Sequence, residues 1–491
     1  MARSLTFKVG ILTFNQVTVQ VASTLIGIVV ARMLTRDELG TFRQLTLLSG
    51  LITPLFIAGL PASILFFMPR LTDVESRQSF VAQTVLILGF SGLALAALMN
   101  AFSDPIATYF NNPELQDLLP QYSLNVFMTV TASYFYLLMV AIDRLKFATL
   151  HTVGFGLLNL FGQLAGIFVS TDAYGLVLGS NVARAIQLAL TLLLTIRVVG
   201  LKGPGSGTVD VSDQFRYAVP LALSSMVGVI GYQIDQLVVG RFLDPAMFAV
   251  YVIGAIEIPV IQQLAGSANS VLVPAMAECH SRGDTRGILD LWGSATRKLG
   301  LIVFPTFWFF MVFAGDFIQL LYSQKYAGSV DFFRIYLLLT PLRVTTFSLV
   351  ATATGRTGQI FSGAVLFTVS NIGLSIALVV PMGAYGPAIA TVICSAGLAG
   401  YYLIRIKPVL NVTVREILPW RMMGRQFTAA GFVGLIAALT LLFDLGHFYS
   451  LIVGGCSFII AYFFIFRSVG LLTKDDVGSM WSVIVRHMGS R

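Results

Sequence analysis

The chain has 491 residues, 56% of them hydrophobic and 11% charged, with a mean hydropathy of +0.84 and a formal net charge of +8. A soluble domain carries roughly 25% charged residues, so the composition excludes one and predicts an all-α integral membrane protein. The ten-residue alternation of an outer-membrane barrel is absent, and Cys279, Cys394 and Cys456 suggest neither a disulfide framework nor a metal site.

Apolar stretches long enough to cross a ~30 Å hydrocarbon core predict about fourteen transmembrane helices. In chain order they fall near 9–33, 42–68, 79–102, 118–141, 149–170 and 174–197, then 215–240, 248–275, 297–315, 331–353, 360–381 and 385–405, and finally 427–444 and 449–467. The first stretch has no small-residue cleavage pattern and reads as a retained helix, not a signal peptide. The expected organisation is a first lobe over 1–199, a glycine-rich linker over 200–213 and a second lobe over 214–410. Two extra helices over 411–468 and a tail over 469–491 complete it. In that tail Val477, Trp481, Ile484 and Met488 recur at helical spacing, which predicts a helix lying on the membrane surface. A weaker pattern of the same kind, Ile288, Leu289 and Trp292, occupies 286–298.

Lysine and arginine concentrate in alternate loops, and the opposite set receives only Arg32, Arg36, Arg43, Arg241, Lys325 and Arg334. The positive-inside rule then places both termini in the cytoplasm. The same bias explains the net charge without nucleic-acid binding.

The chain is also written twice. Val29-Val30-Ala31-Arg32-Met33-Leu34 returns 209 positions later as Val238-Val239-Gly240-Arg241-Phe242-Leu243, and Phe42 returns as Tyr251. Further on the offset drifts to 211 or 212, carrying Ala173-Tyr174-Gly175 onto Ala384-Tyr385-Gly386, Arg144 onto Arg356 and Asn159 onto Asn371. Two six-helix copies with an even span count are parallel repeats, an arrangement of transporters with the substrate between the halves.

An ionisable side chain inside a span costs at least ~2.5–3.5 kcal/mol on insertion scales, so it calls for a partner or a task. Arg184, Asp235, Glu257 and Arg343 are the four such residues. Two readings stand side by side: the arginines bind an anion in a cavity, or they pair with Asp235 and Glu257. Arg32, Arg43 and Arg241 lie near span ends, where a long side chain either anchors at the interface or turns inward. Gln16, Gln20, Ser23, Gly27 and Ala31 share one face of the first helix, and Ser224, Gly228, Gly231, Tyr232 and Asp235 form a stripe on its repeat mate. Such faces line a hydrated cavity or pack helix against helix. Pro54, Pro61, Pro220, Pro259, Pro274, Pro305 and Pro341 fall within spans and favour kinks. His151, His280, His447 and His487 are scattered, with no carboxylate pair or ligand spacing beside them, so no catalytic site and no metal are expected.

Several turns carry a family resemblance. Leu34 to Phe42, with Asp37-Glu38-Leu39-Gly40, is similar to the first outer loop of oligosaccharide-lipid flippases of the polysaccharide transporter family. That family belongs to the multidrug/oligosaccharidyl-lipid/polysaccharide (MOP) superfamily, which also holds multidrug and toxin extrusion exporters and lipid II flippases. Leu320 to Ala327, Gly355-Arg356-Thr357-Gly358 and Gly383 to Ala388 resemble further turns of the family. The resemblance covers residues 5–410 and implies alternating access in the bacterial inner membrane. It implies as substrate an undecaprenyl-diphosphate-linked oligosaccharide, moved from the cytoplasmic to the periplasmic leaflet. Membrane lipids and other polysaccharide assembly proteins are the implied partners. Arg184 and Arg343, with Arg32, Arg43, Arg241, Gln16 and Gln20, are the candidates for holding the anionic headgroup, since a guanidinium fork binds two phosphate oxygens at once.

The chain departs from ion-coupled exporters in its first span, where the repeat mate of Asp235 is Ile26. No cofactor is expected. Coupling to H⁺ or Na⁺ would rest on Asp235 or Glu257, and the alternative is the membrane potential alone, worth ~4–5 kcal/mol for two charges across 100 mV. The rival functions are a cation-coupled multidrug exporter of the same fold and a membrane-embedded polysaccharide polymerase or acyltransferase. The short outer loops give the enzyme no obvious site.

Overall fold

The computed structural model describes residues 23–203 and 209–472, and no strand occurs among them. Helix α1 is described from Ser23 to Met33. It is followed by α2 (Arg36–Ile57), α3 (Leu60–Phe67), α4 (Val74–Ala101), α5 (Ser103–Tyr109), α6 (Glu114–Ala132), α7 (Phe135–Ala141), α8 (Leu145–Val169) and α9 (Ala173–Val198). Beyond the linker come α10 (Val211–Phe242), α11 (Pro245–Gly254), α12 (Pro259–Ser281), α13 (Thr285–Val312), α14 (Ala314–Tyr322), α15 (Ser329–Leu337) and α16 (Leu349–Ala353). The remainder is α17 (Thr357–Met382), α18 (Tyr385–Leu410), α19 (Val414–Ile417), α20 (Trp420–Ala438) and α21 (Gly446–Ser468). Gln16, Gln20, Asp475, Asp476 and the surface helix expected in the tail lie outside the described residues.

Ten of these helices or helix runs are long and apolar enough to cross a membrane, and twelve if each bent pair counts as one span. The chain is therefore a multi-pass membrane protein. The difference from fourteen has identifiable sources. The first span enters the described region only at Ser23. The stretch near 331–353 is not one helix: α15 gives way to a 3₁₀ turn over Thr340–Val344, and α16 follows. Pro341 stands at the start of that turn, where its missing N–H is tolerated. The chain is likewise non-helical over 255–258 before Pro259 opens α12.

Contacts divide the chain into two compact units. One comprises residues 1–252 with 379–387, and the other 253–378 with 388–491. In the first, α4 and α9 pack on α6, α8 packs on α9, and α10 packs on α2 and α3. A buried glutamine ties α10 to α3 and α4. Gln214 of α10 donates to Ser63 Oγ at 3.0 Å and Thr84 Oγ1 at 2.9 Å, and its own oxygen accepts from Gln83 at 3.2 Å. A buried amide must find protein partners, and these three residues supply them. Local caps fix the helix starts: Thr35 and Glu38 form a capping box on α2, and Asp73 caps α4. Hydrogen bonds from the side chain and backbone of Ser76 hold the Asp73 carboxyl below its usual pKa.

In the second unit α13 packs on α12 and α20, and α20 on α21. Here the surface-helix expectation for 286–298 is corrected. This segment begins α13, with Ile288 and Trp292 buried against Met276, Leu349 and Tyr402. Trp292 Nε1 donates to Thr345 Oγ1 at 2.5 Å. Helical periodicity marks an apolar face without saying whether protein or bilayer covers it, which is why the pattern misled.

Candidate functional site

The first unit contains a cavity of about 230 Å³. Helix α1 supplies Ser23, Ile26, Gly27 and Val30, and α2 supplies Leu39, Phe42, Arg43 and Thr46. Tyr122 and Asn125 reach it from α6, Asn159 and Gln163 from α8, and Ser180 and Arg184 from α9. Two of the predicted arginines, Arg43 and Arg184, are thus brought to one cavity, and no aspartate or glutamate lines it among the described residues. In a low-dielectric surround two guanidiniums in one lining make a positive space.

The backbone holds these side chains close. Glycines 162 and 166 of α8 face glycines 175 and 179 of α9, and a Cβ on Gly166 would stand 1.9 Å from the Gly175 carbonyl oxygen. A Cβ on Gly179 would meet the Gly162 oxygen at the same distance. Only hydrogen fits, so the two helices cross at backbone contact, and Asn159, Gln163, Ser180 and Arg184 converge from the two sides of the crossing. On the opposite wall Gly27 plays a similar part: a Cβ there would lie 3.3 Å from Arg43 Nη2, so the missing side chain leaves room for the guanidinium beside α1. The Phe42 and Tyr122 rings meet edge to face, with centroids 6.5 Å apart, and hold α2 on α6.

Several polar atoms here have no protein partner. Arg184 Nη1 donates to Gln187 Oε1 at 2.6 Å, but its Nε is buried without one. The same holds for Asn125 Nδ2, Asn159 Oδ1 and Ser180 Oγ, all on residues that line the cavity. Buried polar groups are rarely left unpaired in native proteins, and a cluster of them marks a place that something polar enters.

The second copy of the repeat provides an internal control. The offsets that carry Asn159 onto Asn371 and Ala173 onto Ala384 also carry Gln163 onto Ser375 and Ser180 onto Thr391. Those three mates are buried and satisfy one another: Asn371 Nδ2 donates to Thr391 Oγ1 at 3.2 Å, and Ser375 Oγ donates to Asn371 Oδ1 at 3.1 Å. Arg184 itself corresponds to Ser395.

The remaining candidates are dispersed. Arg343 donates to both carboxylate oxygens of Glu257, at 2.9 and 3.0 Å, and Gln262 Nε2 donates to the same carboxylate at 2.6 Å. The pair joins two interruptions, since Glu257 lies in the unwound 255–258 stretch and Arg343 in the 3₁₀ turn. Of the two readings for Arg343, the geometry therefore displays ion pairing. Asp235 is 2% exposed and accepts from Tyr251 Oη at 3.0 Å. Tyr232, from the same predicted stripe, is 61% exposed, so that stripe does not face one environment. Arg32 and Arg241 are exposed and do not line the cavity; the Arg241 guanidinium stands 5.8 Å from the Tyr109 ring centre. Asn125, Gln163 and Ser180 escaped the sequence reading, which weighed charges. Their signal was uncharged polarity within otherwise apolar spans.

A family model for polysaccharide biosynthesis proteins matches residues 29–331. The chain belongs to the polysaccharide biosynthesis protein family. Among solved structures, this family member is similar to the lipid II flippase MurJ in an inward closed conformation. The TM-score is 0.66 at 15% identity, covering 93% of this chain and 99% of that one. It also resembles an inward-facing multidrug resistance MATE transporter of the MOP superfamily, with TM-score 0.65, 13% identity and coverage of 80% and 94%. A MOP superfamily transporter from Pyrococcus furiosus, described as having a binding pocket of reverse polarity that suggests a different function, matches with TM-score 0.54, 13% identity and coverage of 82% and 95%. At these identities the likeness is one of fold, and the fold is that of MOP superfamily transporters. Comparison with curated proteins returns no match.

Proposed function

We propose that this protein is a flippase that moves an undecaprenyl-diphosphate-linked oligosaccharide from the cytoplasmic to the periplasmic leaflet of the bacterial inner membrane. It works by alternating access, with both termini in the cytoplasm, and performs no covalent chemistry. The observation that carries this reading is the cavity lined by Arg43 and Arg184, with no carboxylate among the described lining residues. Sugar hydroxyls and phosphates cannot enter hydrocarbon unsatisfied, and a polar, cationic cavity meets both needs while the lipid tail stays in the bilayer. Arginine suits a diphosphate through its paired N–H donors. The family, one of polysaccharide biosynthesis proteins, and the fold, shared with a lipid II flippase, support the same substrate class.

Arg343 takes the second of the two parts open to it. Paired with Glu257 across two helix breaks, it is better placed to stabilise irregular backbone than to hold substrate. Asp235 and Glu257 are the carboxylates open to proton or sodium coupling; otherwise the membrane potential drives export of the anionic headgroup.

Arg184→Gln should reduce polysaccharide export by at least about 100-fold, the loss of a charge-assisted bidentate contact of ~3 kcal/mol. The variant should still insert, and lipid-linked oligosaccharide should accumulate on the inner leaflet. Normal surface glycan from a well-expressed Arg184→Gln protein would sink the assignment. The buried Asp235 and the MATE-like fold keep a cation-coupled drug exporter as the second reading. That reading predicts drug resistance on overexpression, abolished by Asp235→Asn, with export of glycan unaffected.

A further inference from the structure

A second cavity, of about 490 Å³, is a groove between α13 and α21, wholly within the second unit. Ile302, Pro305 and Phe309 of α13 and Ile459, Tyr462 and Phe463 of α21 give it an apolar lining. Pro305 has no N–H, so the Leu301 carbonyl lacks its i+4 donor, and Tyr462 Oη donates to it at 3.0 Å. The Thr306 hydroxyl turns to its own helix and donates to the Ile302 oxygen at 2.7 Å. With both hydroxyls of the lining spent on backbone, the groove offers a ligand hydrocarbon and aromatic surface. Its α13 wall, residues 301–310, covers about 14 Å of helix axis. That is close to the ~15 Å depth of one leaflet in a ~30 Å hydrocarbon core, and so to the length of one acyl chain.

One end of the groove is cationic. Lys298 is exposed, precedes Ile302 by one helical turn and shares the face of Pro305 and Phe309. Arg467 is exposed and follows Phe463 by one turn. The two helices run antiparallel, with Leu301 against Tyr462, and Phe313 against Gly454, where a Cβ would run into the phenyl ring. Counted from the first pair Lys298 is level with 465, and from the second with 469, so Arg467 stands at the same mouth. At the far end of the same helix pair, the charged group on this side is a carboxylate already in use. Asp316 accepts from Ser450 Oγ at 2.6 Å and pairs with His447 at 2.7 Å. The positive-inside pattern assigns the Lys298 end to the cytoplasmic leaflet. A one-leaflet hydrocarbon groove with an ammonium and a guanidinium at its mouth is the complement of a lipid with a phosphate head.

We propose that the groove between α13 and α21 holds an anionic phospholipid of the cytoplasmic leaflet. One acyl chain lies along Ile302, Pro305 and Phe309, and the phosphate sits on Lys298 and Arg467. The lipid joins α21, which has no counterpart in the repeat, to α13, which belongs to it. The inference needs only the groove and its two cations and does not depend on what the protein transports.

The test places the full-length protein in phosphatidylcholine nanodiscs with a trace of phosphatidylglycerol or phosphatidylcholine, each carrying the same photoactivatable acyl chain. Mass spectrometry after illumination locates the adducts. Phosphatidylglycerol should label 301–310 and 455–463 about 25-fold more than phosphatidylcholine, at roughly fivefold for each cation near the membrane surface. The double variant Lys298→Gln, Arg467→Gln should bring phosphatidylglycerol down to the phosphatidylcholine level. Its labelling by phosphatidylcholine should stay unchanged, which also shows that the variant is folded. Equal labelling by the two probes in the parent protein overturns the inference, as does a preference that survives in the double variant. Loss of the phosphatidylglycerol adducts on adding undecaprenyl phosphate at equal concentration overturns it too, and gives the groove to a polyprenyl tail.

Discussion

Helices α8 and α9 and their repeat mates α17 and α18 carry polar side chains at three corresponding positions, and the two copies satisfy them in opposite ways. In α17 and α18 the asparagine, serine and threonine bond to each other and are shut away from solvent. In α8 and α9 the asparagine, glutamine and serine turn to a cavity, with an arginine added where the other copy has Ser395. The two other positions compared invert the contrast. Ile26 and Phe42 form an apolar wall of that cavity, whereas their mates Asp235 and Tyr251 make a buried hydrogen-bonded pair. A duplicated membrane sequence can therefore trade polarity position by position. Each copy either closes a polar group on a neighbour or leaves it lining a polar cavity, because facing lipid directly would be costly.

The largest effect should come from breaking the frame of the open copy. Gly166→Val places side-chain atoms where the Gly175 carbonyl already stands. Neither backbone can move far without unpacking the crossing, so this variant should yield little monodisperse protein in size-exclusion chromatography. Gly154→Val, on the same helix with nothing within 4 Å of its added Cβ, should behave as the parent. The mates of Gly162 and Gly166 are Leu374 and Leu378, so this close crossing is a device of the first copy.

That contrast also shows how far the sequence could be read. The all-helical membrane class and the family were legible because hydropathy and turn residues depend on local pattern. Arg43 and Arg184 were legible as candidates because charge in a span is expensive wherever it points. Their meeting in one cavity was not, since it depends on how α2 packs against α9. Asn125 and Ser180 were missed for a related reason: an uncharged polar residue in a span is common, and only its partner or lack of one decides its meaning. The break of the tenth predicted span was hidden too. Pro341 announces a kink, but the ion pair to Glu257 that goes with the break is 86 positions away in sequence.

The paired arginine gives the next largest effect and separates structure from transport. Arg343→Met should lower unfolding stability by roughly 2–3 kcal/mol, below the 3–5 kcal/mol of a fully buried pair because Arg343 and Glu257 are 31% and 25% exposed. Exchanging the charges, Glu257→Arg with Arg343→Glu, should recover much of that loss in a double-mutant cycle. If Arg343→Met melts like the parent yet stops export, Arg343 belongs with the substrate and the contrast with Arg184 is wrong.

A third comparison sets the closed trio against the open one. Asn371→Ala leaves two buried hydroxyls without their partner and should cost about 1–3 kcal/mol in thermal unfolding. Ser180→Ala removes a hydroxyl that has no protein partner, so it should stay within about 0.5 kcal/mol of the parent. A similar cost at both sites would mean that Ser180 is structural and that the two copies do not differ in the way described.

The smallest effect tests whether polarity really is exchangeable between copies. Tyr251→Phe alone should destabilise by about 1–2 kcal/mol, because it withdraws a hydrogen bond from a carboxylate that is 2% exposed. The double variant Asp235→Ile, Tyr251→Phe installs the residues of the first copy, Ile26 and Phe42. It removes both partners at once and should therefore melt closer to the parent than the single variant does. The order of the two melting temperatures decides the matter. A double variant less stable than Tyr251→Phe would show that Asp235 holds α10 in place through contacts beyond Tyr251. A more stable one that still fails to export would place the carboxylate in the transport cycle, since the fold alone would then have no need of it.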